Sequence, residues 1–129
     1  MMTADTDALI DFLRGRGPWA ERIDIELGAG LTTTAITAFE LLSGVKGRKE
    51  QQALDALLGA IKVLPLREPE AREAAAIRRE LEAKGEAIGM ADSLIAGICR
   101  ASGSILLTGN RKHFSRVSGL RISGHAVEK

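Results

Sequence analysis

The sequence predicts an α/β domain in which a mostly parallel central sheet is covered by helices on both faces. Short apolar runs of the kind that form buried strands alternate with longer stretches of helical periodicity. This alternation is the pattern of parallel strands joined by crossover helices. A chain of 129 residues without internal repeats or low-complexity linkers predicts a single domain over 1–129.

The chain opens with a weak strand and a short helix. Residues 1–4 form the strand, and a helix is expected over 8–14, with Thr6 or Asp7 as its N-cap. The turn residues of 15–18 end this helix.

A second strand and two helices follow. The β-branched residues of 31–34 predict the strand. Thr37 and Glu40 have the spacing of a capping box, which predicts a helix that ends near Gly44. A further helix over 50–61 is amphipathic. Its apolar face consists of Ala53, Leu54, Leu57, Leu58 and Ile61.

The third strand covers 62–66, and Pro65 indicates that it lies at an edge of the sheet or ends there. The next helix is expected to begin at Pro69 and to run to Lys84, with Gly85 as its stop. Its buried stripe consists of Ala74, Ile77 and Leu81.

The last part of the chain predicts a helix and two strands. The helix begins near Asp92 and ends near Ala101, and Cys99 lies on its apolar side, where we expect it in the core. Residues 105–108 form the fourth strand and 120–123 the fifth.

The composition excludes several functional classes. With 45% hydrophobic residues, 27% charged residues and a net charge of +1, the chain is no strongly basic nucleic-acid coat. One cysteine and two histidines form neither an internal disulfide nor a zinc site of the Cys/His type. The acidic start is unlike a signal peptide, and no apolar run reaches the roughly 20 residues of a membrane span. We therefore expect a soluble, cytoplasmic protein without membrane contact.

Four polar residues are predicted to meet at one edge of the sheet. Asp5, Glu40 and Asn110 each follow a predicted strand, and Asp92 begins the helix before the fourth strand. In parallel sheets the carboxyl ends of the strands share an edge, and ligands bind there. Taken singly, each acid has a simpler explanation as a helix cap or as a partner of a helix dipole.

Glu40 and Asp92 nevertheless lie within apolar sequence. Burying several carboxylates together is unfavourable unless a cation relieves their repulsion. Oxygen ligands suit Mg²⁺ or Mn²⁺. Acids of this kind with a divalent ion are the usual apparatus for hydrolysing a phosphodiester bond.

The chain resembles the PIN-domain ribonucleases, and among them the VapC-type toxins of toxin–antitoxin pairs. The matching segments are ADTDALIDFLRG, TAFELLSGV, GMADSLIAGICRASGSILLTGNRKHF and VSGLRI, which cover nearly the whole chain. The resemblance implies an α/β/α sandwich and divalent-metal-dependent cleavage of RNA. It also implies that Asp5, Glu40 and Asp92 bind metal, that Asn110 occupies a fourth catalytic position, and that Thr108 orients the site.

Two positions depart from the family pattern. Asn110 leaves three firm acids, so a second ion would bind only with ligands from the RNA. Asp7 stands where Ser, Thr or Asn is more usual, and it either replaces part of the missing charge or only caps the helix. Asp7 is taken as a supporting residue of the site, together with Thr6 and Thr108.

The resemblance further implies a homodimer and a cognate antitoxin protein. Basic residues near the expected edge are candidates for contact with RNA phosphates, although a solvated surface explains each equally well. They are Lys46, Arg48, Lys49, Arg111, Lys112 and Arg116. For His113 a structural role is favoured over contact with substrate.

Other functions remain as alternatives. A PIN-like binding module that does not cleave RNA is kept open by Asn110. The Asp5-Thr6-Asp7 triplet is also similar to the first motif of D-x-D phosphatases, but the chain lacks the lysine and acidic pair that this chemistry needs after Thr108. A receiver-type phosphoacceptor domain is disfavoured because neither 31–34 nor 62–66 ends in Asp.

Overall fold

The computed structural model describes residues 1–126, which contain one five-stranded sheet. Its strands are β1 Met2–Ala4, β2 Thr32–Thr34, β3 Lys62–Leu64, β4 Ile105–Leu107 and β5 Arg121–Ser123. All neighbouring strands are parallel, in the order β3-β2-β1-β4-β5. The predicted parallel sheet is confirmed. Residues 127–129 of the predicted domain lie outside the described part of the chain.

Seven helices flank this sheet in the described residues. They are α1 Thr6–Arg14, α2 Ala20–Ala29, α3 Ala35–Gly44, α4 Gly47–Ala60, α5 Glu68–Ala83, α6 Met90–Ser102 and α7 Arg111–Phe114. The sequence pattern did not predict α2 or α7. Trp19 provides no side-chain cap for α2, which buries only Ile23 and Arg22, and α7 is four residues long. Neither helix therefore has the apolar stripe by which sequence periodicity is detected.

The predicted starts of α1 and α3 were wrong. Asp5, and not Thr6 or Asp7, caps α1, because the backbone N–H of Thr6 donates to Asp5 Oδ1 at 2.7 Å. Thr34 caps α3 by accepting a hydrogen bond from the N–H of Thr37 at 3.1 Å. The capping box expected from Thr37 and Glu40 is therefore absent. The side chain of Glu40 is left free for another partner.

The middle of the chain follows the predictions closely. Pro65 lies just after β3, which is an edge strand, and Pro69 is the second residue of α5. Gly85 follows α5 with a φ of +68°, a left-handed conformation that glycine adopts readily. The predicted stripe of α5 is buried, namely Ala74, Ile77 and Leu81. On α4 the predicted face is only partly buried, because Ala53 is exposed.

The core consists of two clusters on opposite faces of the sheet. Leu106 and Leu107 are neighbours in β4, so their side chains point to opposite faces. Leu107 packs with Leu9, Ile23, Leu54 and Leu57, and Leu106 packs with Ile77, Ile95, Cys99 and Phe114. Helices therefore cover both faces, as predicted, and Cys99 is a core residue with no exposed surface. None of the helices within residues 1–126 is long and apolar enough to cross a membrane.

The strand order creates a crevice at one point of the carboxyl edge. The chain passes from β1 outward to β2 and β3, and then returns to the other side of β1 for β4 and β5. The N–H of Asp5 bonds the carbonyl of Leu107 at 3.0 Å, so the chain segments after β1 and β4 lie side by side. Ligands of open parallel sheets bind at such a switch point.

Candidate functional site

Asp5 lies at the centre of the carboxyl edge. It directly follows β1 and is 6% exposed. Its Oδ1 accepts the N–H of Thr6, and its Oδ2 accepts the hydroxyl of Thr108 at 2.7 Å. The Thr108 hydroxyl in turn accepts the N–H of Asn110 at 3.0 Å. A chain of hydrogen bonds thus links the ends of β1 and β4.

The carboxyl group of Asp5 is electrostatically strained. Burial raises its pKa from 3.8 to about 6, against the opposing effect of hydrogen bonds from Thr108 and Thr6. The negative charges of Asp92 and Asp7 raise the pKa further. Both acids therefore lie close enough to Asp5 to repel its charge, and a bound cation would relieve this repulsion.

Glu40 is connected to Asp5 through Thr6. The hydroxyl of Thr6 donates to Glu40 Oε1 at 2.7 Å, while the N–H of Thr6 holds Asp5. Thr37 Oγ1 lies 3.2 Å from the Thr6 hydroxyl and 3.3 Å from Thr34 Oγ1. A row of threonine hydroxyls therefore fixes Thr6 and, through it, Glu40. The side chain of Glu40 is thus hydrogen-bonded to Thr6 and does not cap the start of α3, which the predicted capping box required.

Asp92, Asn110 and His113 form the other side of the site. Asp92 is the third residue of α6, and its Oδ2 lies 2.9 Å from His113 Nδ1 and 3.4 Å from Asn110 Nδ2. Asn110 Nδ2 lies 3.0 Å from the same ring nitrogen. Asn110 caps α7, and His113 is the third residue of that helix, so one turn brings both side chains to Asp92.

The remaining predicted residues lie around the site with fewer contacts. Asp7 is exposed, and it acts on Asp5 through its charge. Arg111 and Lys112 are exposed directly beside Asn110. Arg116 instead donates to the carbonyls of Glu86 and Ala87, so its guanidinium braces the loop before α6. Three exposed basic residues lie at the start of α4, namely Lys46, Arg48 and Lys49. Within residues 1–126 they make no hydrogen bond or salt bridge to the acids of the site.

The donor set suits a hard divalent cation. It consists of three carboxylates, an amide and two hydroxyls, which are the oxygen donors that Mg²⁺ and Mn²⁺ prefer. In residues 1–126, no cluster of three or more His, Cys, Asp and Glu side chains is already arranged to hold an ion. Glu40 and Asp92 are both partly exposed, and each uses one carboxylate oxygen in the hydrogen bonds described above. The second carboxylate oxygen of each has no hydrogen bond in the described residues.

Sequence reasoning missed two parts of this arrangement. It did not bring His113 to Asp92, although the spacing of three residues between Asn110 and His113 is a signal for a shared helix turn. The structural role expected for His113 stays a prediction. Sequence reasoning also treated Thr34 as a strand residue and Thr37 as a helix cap, and it did not connect them with Thr6, to which the pairing of β1 with β2 brings them.

Comparison with known proteins places these observations in a family. Residues 2–120 match the PIN domain family. Ribonuclease VapC1 of Methanocaldococcus jannaschii is 32% identical over 120 residues, which are 92% of this chain and 83% of that protein. The tRNA(fMet)-specific endonuclease VapC of Shigella flexneri is 30% identical over 105 residues, or 78% of this chain and 79% of that protein. The crystal structure of DNA-bound VapBC from Salmonella typhimurium superposes with a TM-score of 0.86 at 25% identity, covering 97% of this chain and 98% of that one.

Proposed function

Because the chain belongs to the PIN domain family, we propose that it is a divalent-metal-dependent endoribonuclease and the toxin of a toxin–antitoxin pair. The observation that carries the proposal is the crevice itself, where the buried carboxylate of Asp5 lies within the electrostatic reach of Asp92 and is linked to Glu40 through Thr6. The ribonuclease names of the relatives agree with this chemistry.

The acids are assigned as the ligands of Mg²⁺ or Mn²⁺. Asp5, Glu40 and Asp92 would hold the ion, and Asn110 would support it from the fourth position. When bound, such an ion polarises the phosphodiester and activates water for attack. Thr6 and Thr108 hold Asp5 and Glu40 in fixed orientations through the bonds described above, so fewer conformations must be lost when the ion binds.

The proposed partners are supported by the surface of the chain and by its relatives. Arg111 and Lys112 next to the crevice are candidate contacts for RNA phosphates, and the basic start of α4 is a second candidate region. The solved VapBC assembly supports a cognate antitoxin for this chain as well. We place the protein in the cytoplasm, because RNA is present there and because its reducing conditions keep a free thiol such as that of Cys99 reduced.

A second copy of the chain is the other proposed partner. Phe39 and Leu42 lie one turn apart on α3 and are 67% and 43% exposed. They form an apolar face directly beside Glu40. Burying this face against the same face of a partner protomer would remove it from water and place two crevices near one interface.

The alternative is a PIN-like binding module that does not cleave RNA. The observation in its favour is Asn110, which replaces a charged ligand by a neutral one. The D-x-D phosphatase interpretation is abandoned, since the chain belongs to another family and the hydroxyl of Thr6 is committed to Glu40.

Cleavage of a mixed RNA substrate tests the proposal. We expect the wild type to cut with Mn²⁺ and not with EDTA, and Asp92→Asn to lose at least about a hundredfold in rate because a charged ligand is removed. The matched control is Asp24→Asn, which alters an exposed acid on α2 and should cut normally. Equal cleavage by Asp92→Asn and the wild type would refute the assignment of the site. A folded wild type that neither cuts RNA nor binds Mn²⁺ would favour the binding module.

A further inference from the structure

We propose that His113 is a metal ligand, and that its Nδ1 takes the coordination place that Asn110 leaves without a carboxylate. The inference rests on the proposed metal site. It concerns a residue for which neither the sequence pattern nor the proposed set of acids provides a role in the chemistry.

The first observation is the distance between two donor atoms. His113 Nδ1 lies 2.9 Å from Asp92 Oδ2. Two donors bound at right angles to one ion, each about 2.1 Å from it, stand about 3 Å apart. The pair therefore has the separation of two neighbouring ligands of a single ion, although in the structure the two atoms form a hydrogen bond with each other.

The second observation is the convergence of three side chains. Asn110 Nδ2 lies 3.0 Å from His113 Nδ1 and 3.4 Å from Asp92 Oδ2. The side chains of Asp92, Asn110 and His113 are therefore already within hydrogen-bond distance of one another, at the side of the crevice where the fourth family position lies.

The third observation is access. The side chain of His113 is 39% exposed and that of Asp92 is 25% exposed, so an ion reaches them without local unfolding. His125 differs in this respect, because its ring packs edge-on against Trp19 with ring centroids 5.9 Å apart and it has no carboxylate contact in residues 1–126. It is the second of the two histidines in the chain and serves as a matched control.

A nitrogen ligand has a consequence for the choice of ion. Mg²⁺ binds oxygen donors almost exclusively, whereas an imidazole is an ordinary ligand of first-row transition metals. With three acids and one imidazole, the site should prefer Mn²⁺ to Mg²⁺. The neutral imidazole also keeps the ligand charge at that of three acids, which favours one ion over two.

Pulsed electron paramagnetic resonance of Mn²⁺ bound to the full chain tests the proposal without an activity assay. The wild type should show the ¹⁴N modulation of a coordinated imidazole. His113→Gln should lose the modulation and bind Mn²⁺ at least about tenfold more weakly, since even the partners of metal ligands affect affinity by 10–100-fold. His125→Gln should keep both properties. His113→Asp should bind without ¹⁴N modulation and gain affinity for Mg²⁺.

The outcomes separate the two proposals. Binding of Mn²⁺ to the wild type without ¹⁴N modulation would overturn the role of His113 and leave the acid site standing. Modulation that persists in His113→Gln would overturn it too. Failure of the wild type to bind Mn²⁺ at all would overturn the metal site and this inference together. Melting of each variant in EDTA checks that the substitutions leave the fold intact.

Discussion

Replacing Asp5 by Asn should change how the stability of the protein depends on pH. In the folded chain the pKa of Asp5 is about 6, chiefly because burial disfavours its charge. In the unfolded chain it should return to 3.8. The folded state therefore holds this proton more tightly, and the free energy of unfolding of the wild type falls as pH rises through the interval between the two values.

The size of the effect follows from that interval. At about 1.4 kcal/mol for each pH unit, a rise of the pKa from 3.8 to about 6 corresponds to about 3 kcal/mol. Asn carries no titrating group, so this part of the pH dependence disappears in the variant. Because the Asp5 carboxyl of the unfolded chain is already about half ionised at pH 4, the free energy of unfolding of Asp5→Asn minus that of the wild type should increase by about 2.4 kcal/mol between pH 4 and pH 7. Acids other than Asp5 titrate in both proteins and largely cancel.

Urea unfolding in EDTA measures this difference. Trp19 is the sole tryptophan and is 3% exposed, so its fluorescence reports loss of the core directly. A second series at pH 7.5 with Mn²⁺ should stabilise the wild type, whose repulsion the ion relieves, and should have little effect on Asp5→Asn. Asp24→Asn removes an exposed acid and should follow the wild type in both series.

A stability difference that stays constant between pH 4 and pH 7 would refute this reasoning, since it would mean that the carboxyl of Asp5 titrates alike in the folded and unfolded chains. An equal gain of stability from Mn²⁺ in both proteins would show that Asp5 does not contribute to ion binding.

Two further predictions concern packing and assembly. Gly97→Ala should lower the free energy of unfolding by about 1–3 kcal/mol in urea, because an added Cβ would stand 2.6 Å from the Cβ of Ala74 and 2.7 Å from its backbone N and Cα. Gly59→Ala, where a Cβ meets nothing within 4 Å, should instead be neutral or stabilising by up to about 1 kcal/mol, and a loss as large as that of Gly97→Ala would contradict the packing argument. Phe39→Glu should convert the proposed homodimer to a monomer in sedimentation velocity, whereas Ile25→Glu, which changes an exposed residue on α2, should leave it dimeric; an unchanged dimer in Phe39→Glu would place the interface elsewhere.

Local sequence patterns were sufficient to predict a helix or strand wherever its own residues show the periodicity or the turn chemistry of that element. The helix α5 has a buried apolar stripe and a glycine stop, and both were predicted from periodicity and turn chemistry. Strand β4 was recognised as a short apolar run. In contrast, α2 has no side-chain cap and buries little, and it is held by tertiary contacts such as the hydrogen bonds from Arg22 to the carbonyls of Gly124 and Ala126, both at 2.9 Å. Contacts across 102 and 104 residues leave no trace in a local pattern.

The candidate site shows the same division. Asp5 and Asn110 could be placed at one edge because each follows an apolar strand and parallel strands end together. The link from Thr6 to Glu40 and that from His113 to Asp92 could not be foreseen. They join residues 34 and 21 positions apart, and they depend on which strands and helices are neighbours.

By itself, then, the sequence determined the parallel α/β class, the apolar faces of most helices and the position of the acids at the strand ends, because these depend on the periodicity and chemistry of consecutive residues. The tertiary structure alone decided that β1 lies between β2 and β4, that Thr6 connects two of the acids and that His113 faces a third. These features arise from the packing of segments distant in the chain, where the free energy of burial and not local propensity selects the neighbours.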